Sequence, residues 1–282
     1  MCRWISYIGK PIYLDTLITR PSHSLVMQSL DSKQSFRPDG SILATNGDGF
    51  GLGWYLYKEE PGLFKTAEPA WANESIGELC AQIQARIFMA HIRAASSGSI
   101  QRTNAHPFKY KNWLFQHNGY LGSFHLLRRE LQFRIAPEFF EYLKGTTDSE
   151  TLFLLALSCG LQENPKKAWE DVIRITRELC AKKQVAFELL ISAALSDGKS
   201  LFTLRYSSTD RAHSQYYSTH ADCMKSINEN SDAVPNSSVV VVSEPLDQSH
   251  EHWVEMPIGS FGIFREGGLL RGSKAEVQAL NV

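Results

Sequence analysis

The order of hydrophobic patterns along the chain predicts a layered α+β domain. Two blocks of strand-like segments enclose a central block of helical ones, without the strict β-α alternation of a parallel sheet. Hydrophobic residues make up 43% of the 282 residues, which suffices for a sizeable core. No internal repeat, low-complexity tract or composition break divides the chain, so residues 2–282 read as one domain.

The first strand starts almost at residue 3, on the alternation of Ile5, Tyr7 and Ile8. Residues 22–47 are polar and carry the turn signal Pro38-Asp39-Gly40, so they read as a loop. Residues 51–57 read as a strand. Residues 74–83 read as a helix, with Ile76, Leu79, Cys80 and Ile83 on one face. Residues 86–92 and 112–117 follow as strands. The spacing of Phe124, Leu127 and Leu131 gives a helix over 123–133. Thr147-Asp148-Ser149-Glu150 is a capping box opening an apolar helix over 151–161. Pro165 suits the first turn of a helix over 165–182. The pattern then returns to strands at 187–195, 201–206, 238–243, 253–256 and 261–264, with 207–235 as a polar excursion loop.

Charge and cysteine usage narrow the classes. Lys and Arg total 29 against 30 Asp and Glu, a net charge of −1, which leaves no electrostatic footprint for nucleic acid or an anionic membrane. The longest apolar runs, 152–157 and 239–242, fall far below the ~18 residues of a membrane span. The five cysteines are odd in number, widely spaced and free of C-x-x-C. With no secretory pattern after Met1-Cys2-Arg3-Trp4, a cytoplasmic protein with free thiols is expected.

Four features could carry chemistry. Removal of Met1 would make Cys2 N-terminal, joining a thiol nucleophile and an α-amine base in one residue. By position alone the commoner reading of Cys2 is a small apolar residue opening an edge strand. Asn118-Gly119 could pair a side-chain amide with a backbone N–H around a developing negative oxygen, or form a hairpin turn. Arg93, followed by small residues, could clamp a carboxylate or form a surface ion pair. Asp148 sits at a helix start, where an acidic residue ordinarily complements the helix dipole. His91, His106 and His117 match no metal spacing, His250-Glu251-His252 is not H-E-x-x-H, and the Gly-rich run 49–53 precedes a strand instead of a phosphate-binding helix, so no metal or cofactor is expected.

Taken in order, Cys2, Asp48-Gly49, Arg93 in HIRAAS, Asn104-Ala105-His106-Pro107, His117-Asn118-Gly119 and Thr147-Asp148-Ser149-Glu150 resemble the class II glutamine amidotransferases. Met-Cys-Arg-Trp and Ser243-Glu244-Pro245-Leu246 are similar to the stand-alone branch, which includes the γ-glutamyl amide hydrolase of ergothioneine assembly and a subunit of a glutathione-degrading complex. The resemblance implies the four-layer αββα sandwich of N-terminal nucleophile hydrolases. It also implies roles: Cys2 as nucleophile with its α-amine as base, and Asn118 and Gly119 as the oxyanion hole. Arg93 would hold the substrate α-carboxylate with help from Ser96, and Asp148 would receive the α-ammonium. Ala94 and Ser97 stand where members fused to synthases often carry Trp and His. The implied reaction is hydrolysis of a small γ-glutamyl amide through a cysteine thioester. Its alternatives are ammonia supply to a separate acceptor or synthase subunit, and a non-catalytic binding protein of the same fold.

Overall fold

Side-chain alternation along the strands decides the layering. The computed structural model describes residues 2–33, 45–95, 99–219, 234–235, 238–247, 249–266 and 276–282. In chain order the described elements are β1 (Arg3–Tyr13), α1 (Asp15–Ile18), α2 (Leu25–Leu30), β2 (Phe50–Tyr55), β3 (Gly62–Thr66), α3 (Glu74–Gln82) and β4 (Gln84–Ile92). They continue with β5 (Phe108–Tyr110), β6 (Trp113–Leu121), α4 (Phe124–Gln132), α5 (Pro137–Phe140), α6 (Asp148–Ser158) and α7 (Pro165–Lys183). The last are β7 (Leu189–Ser196), β8 (Leu201–Ser207), β9 (Tyr216–Ser218), β10 (Val239–Val242), β11 (Trp253–Glu255), β12 (Ser260–Phe264) and β13 (Glu276–Ala279).

Two antiparallel sheets result, one ordered β11-β9-β10-β1-β4-β2-β3 and the other β13-β12-β8-β7-β6-β5. In β1, Ile5 and Tyr7 point to one face and pack with Leu17, Leu25 and Ile76 of α1, α2 and α3. Trp4 and Ile8 point the other way and meet Leu114, Ala194 and Leu201 of the second sheet. In β6 the opposite set, Trp113 and Phe115, packs on Leu127, Phe153 and Trp169 of α4, α6 and α7. Every strand near the centre is therefore buried on both faces, and the layers run helix, sheet, sheet, helix. This is the αββα sandwich that the family resemblance implies.

Several elements differ from the sequence reading. The polar stretch 22–47 contains α2, because Ser24 caps it by accepting the Met27 N–H at 3.3 Å and Leu25 is drawn into the core. The excursion 207–235 contains β9, whose three residues are too few to leave a period. Short α1, β3, β5, α5 and β13 escaped for the same reason. Asn118-Gly119 does not follow a strand: β6 runs through it to Leu121. The Pro38-Asp39-Gly40 turn and Cys223 lie outside the described residues. No helix among the described residues is long and apolar enough to cross a membrane.

Candidate active site

Strand register places Cys2 opposite Arg93. Arg3 pairs with Ile92 in the β1–β4 ladder, so the residues one step further out, Cys2 and Arg93, face each other on one side of the sheet. That side is the inter-sheet face, since it carries Trp4 of β1 and Met89 of β4. The Cys2 thiol lies against the backbone of residue 94, with Sγ 3.4 Å from the Ala94 N–H nitrogen and 3.6 Å from its carbonyl. Asp48-Gly49 holds this segment in place. Arg93 N–H donates to Gly49 O at 2.8 Å, Asp48 N–H donates to Arg93 O at 3.0 Å, and Asp48 Oδ2 accepts from Ala95 N–H at 2.7 Å. The buried Arg93 guanidinium donates from Nη1 to the Ser99 carbonyl at 3.2 Å.

The second sheet brings Asn118 toward the same end. Gln116 of β6 donates from Nε2 to Ile5 O and Ser6 Oγ at 3.0 and 2.9 Å across the interface. One residue on, the His117 carbonyl lies 3.2 Å from Nε2 of His91, the ladder partner of Trp4. Moving from Gln116 to Asn118 thus moves from Ser6 toward the start of β1. Asn118 shares the inter-sheet parity of Leu114 and Gln116. It is 3% exposed, yet its side-chain amide makes no hydrogen bond with any described residue. Its amide atoms nonetheless keep access to solvent, so they are open to a ligand. At Gly119, a Cβ would lie 1.9 Å from Leu190 O and 2.3 Å from His117 Nε2, so only glycine fits there.

Asp148 opens α6 and ties it to the end of β6. Its Oδ2 accepts Leu121 N–H at 2.7 Å, and its Oδ1 accepts Ser149 N–H at 2.7 Å. Ser149 Oγ in turn lies 2.9 Å from His117 Nδ1. Burial pushes the His117 imidazole below its ordinary pKa, against the pull of Asp148 and the Leu190 carbonyl. Asn104, part of the quoted motif, is wholly buried and bridges two loops: Nδ2 donates to Ser99 O at 3.0 Å, and Oδ1 accepts Thr146 N–H at 2.8 Å. Met1, Ser96 and Ser97 lie outside the described residues.

The sequence reading missed the residues behind Cys2. Arg3 Nη1 donates to the Cys2 carbonyl at 2.9 Å, and Arg3 Nε donates to Glu244 Oε2 at 2.6 Å. Ser243-Glu244 was legible as a motif, but nothing in the sequence joined it to residue 3. Nearby, His213 is buried within electrostatic reach of Arg3 and His117, and burial pushes it down to about 3. The other described thiols are inert by comparison. Burial raises Cys159 and Cys180, and lifts Cys80 to about 12. Among the described residues, no group of three or more His, Cys, Asp or Glu is placed to hold a metal.

Comparison with known proteins identifies the family. The family model for class II glutamine amidotransferases matches residues 18–281. The probable glutamine amidotransferase DUG3 of Saccharomyces cerevisiae is 32% identical over 96% of this chain and 83% of its own length. The gamma-glutamyl-hercynylcysteine sulfoxide hydrolase of Mycolicibacterium smegmatis is 28% identical over 42% of this chain and 51% of its own. Among solved structures, a glutamine aminotransferase class-II domain protein from Silicibacter pomeroyi superposes with a TM-score of 0.70 and 28% identity, covering 99% of both chains. The glutamine PRPP amidotransferase of B. subtilis shares the fold at a TM-score of 0.62, with this chain covering 49% of it. The chain therefore belongs to the class II glutamine amidotransferases and is an enzyme of the amidohydrolase type.

Proposed function

We propose that the protein hydrolyses a γ-glutamyl amide, glutamine or a γ-glutamyl compound, through a thioester on an N-terminal Cys2. The observation that carries this reading is the unpaired, solvent-accessible Asn118 amide on the inter-sheet face, at the end where β1 presents Cys2 opposite Arg93. In this reading Met1 is removed and residues 2–282 work as one domain. The free α-amine takes the thiol proton, and the thiolate attacks the δ-carbonyl carbon. The oxygen gains charge between the Asn118 amide and the Gly119 N–H. The ammonium then donates its proton to the leaving nitrogen as the C–N bond breaks. Water attacks the thioester, giving up a proton to the same amine, and glutamate leaves as the thiol re-forms.

Arg93 recognises the α-carboxylate, Ser96 assists it, and Asp148 receives the α-ammonium. The two Asp148 oxygens already accept backbone N–H groups, which fixes the carboxylate in orientation. The named activity of the mycobacterial relative supports hydrolysis that releases a γ-glutamyl group. The DUG3 match supports the alternative, in which glutamine-derived ammonia passes to a separate acceptor or synthase subunit.

The test is a panel of γ-glutamyl compounds, from glutamine to γ-glutamyl peptides, scored for glutamate release with the mature chain whose mass lacks Met1. Cys2→Ala should keep the melting temperature and lose turnover. Full activity in Cys2→Ala, or in a chain wholly retaining Met1, would overturn the mechanism. A rise in turnover on adding an acceptor subunit would favour the alternative.

A further inference from the structure

Two consecutive residues from the far end of the chain hold three consecutive residues at the start of β1. Ser243 Oγ accepts the Trp4 N–H at 2.9 Å, and Ser243 N–H donates to the Trp4 carbonyl at 3.0 Å. Glu244 Oε2 accepts Arg3 Nε at 2.6 Å, and Arg3 Nη1 reaches back to the Cys2 carbonyl at 2.9 Å. Arg3 and Glu244 are 1% and 2% exposed. A strand end would ordinarily fray, so its fixation needs partners beyond the ladder.

The Glu244 carboxylate is saturated with donors. Besides Arg3, its Oε1 takes Lys33 N–H at 3.0 Å and lies 2.7 Å from His23 Nε2, and its Oε2 takes Ser32 Oγ at 3.0 Å. Burial alone would raise this carboxyl, but His23, Arg3 and the Lys33 amide overcome it and hold it down at about 2. A charged pair at this depth brings less net stability than an apolar pair of the same shape. Its geometry instead fixes one backbone position, that of Cys2.

We propose that Ser243, acting through Trp4, and Glu244, acting through Arg3, form a positioning clamp that presents the Cys2 thiol on the inter-sheet face. Arg3, Ser243 and Glu244 are positioning residues with no contact to substrate. The inference takes its functional meaning from the reading of Cys2 as nucleophile, but its geometric content does not depend on that reading. Loosening the clamp should let residue 2 leave the Ala94 backbone. The thiol then becomes more accessible to a small reagent and less well aimed at a bound carbonyl.

The experiment compares the mature wild type with Glu244→Gln and Ser243→Ala. Val172→Ala, in the α7 core, serves as a control destabilised far from the site. Iodoacetamide alkylation of Cys2 is followed by peptide mass spectrometry, glutamine turnover is measured alongside, and thermal melts establish folding. In folded Glu244→Gln, alkylation should be at least threefold faster, kcat at least tenfold lower, and KM within twofold. Ser243→Ala should shift the same way and carries the test if Glu244→Gln does not fold. Alkylation that is unchanged or slower overturns the clamp, as does equal acceleration in Val172→Ala. If the wild type does not turn over glutamine, the proposed function fails on that substrate, and the alkylation comparison still decides the clamp.

Discussion

At the scale of single residues, Asn118 and Arg93 give separable expectations. The Asn118 amide has no partner to lose among the described residues, so Asn118→Ala should leave the fold intact. It removes a donor aimed at charge that exists only in the transition state. We expect kcat to fall by about 10²–10³ with KM nearly unchanged, the usual cost of one oxyanion donor. An unaltered kcat would mean that Asn118 is only a strand residue. Arg93→Lys keeps the charge but loses the planar fork that grips a carboxylate with two donors. KM for glutamine should rise at least tenfold, and steady-state kinetics checks it. N-acetylated or α-esterified substrates should fail with the wild type, and equal use of them would remove both Arg93 and Asp148 from substrate binding.

At the scale of elements, the start of α6 is the junction that positions Asp148. The sequence reads as a reciprocal capping box, and half of it forms. Thr147 Oγ1 accepts Glu150 N–H at 3.2 Å. The Glu150 carboxylate turns away from Thr147 and accepts Lys144 N–H and Gly145 N–H at 3.1 and 2.6 Å, so it caps the incoming loop instead. Thr147→Ala should lower stability by about 1 kcal/mol, as for other lost N-caps, which denaturant melts will measure. Because Asp148 is bound to Leu121 N–H, fraying of this turn should also raise KM, while a cap lost elsewhere would not.

At the scale of the whole molecule, four buried histidines make the sandwich sensitive to acid. Burial holds His91 and His213 down at about 3 and pushes His106 and His117 below the ordinary value. In the unfolded chain each would protonate near 6.5. A lowered folded-state pKa favours the fold above the unfolded value, and that contribution drains away as pH falls toward the folded value. Urea midpoints should therefore begin to drop below about pH 6.5, above the range where most carboxylates protonate, and keep falling toward about pH 3. His91→Gln should flatten the slope, and an unchanged slope would mean that this ring is not neutral in the fold.

How much was legible in advance follows from the range of each interaction. Alternation in β1 and β6, the helical periods of α4 and α7, and the motif order from Cys2 to Glu150 are local signals, so the sequence by itself determined the α+β class, the family and the candidate residues. The short elements α1, α2, β3, β5, α5, β9 and β13 span too few residues to show a period, and tertiary packing supplies what their local pattern lacks. The union of Cys2 with Arg93 rests on the β1–β4 register, and that of both with Asn118 on the stacking of two sheets. The clamp from Glu244 to Arg3 spans 241 positions. Only the folded chain decides such contacts, because nothing local to residue 3 specifies which distant carboxylate will be buried beside it.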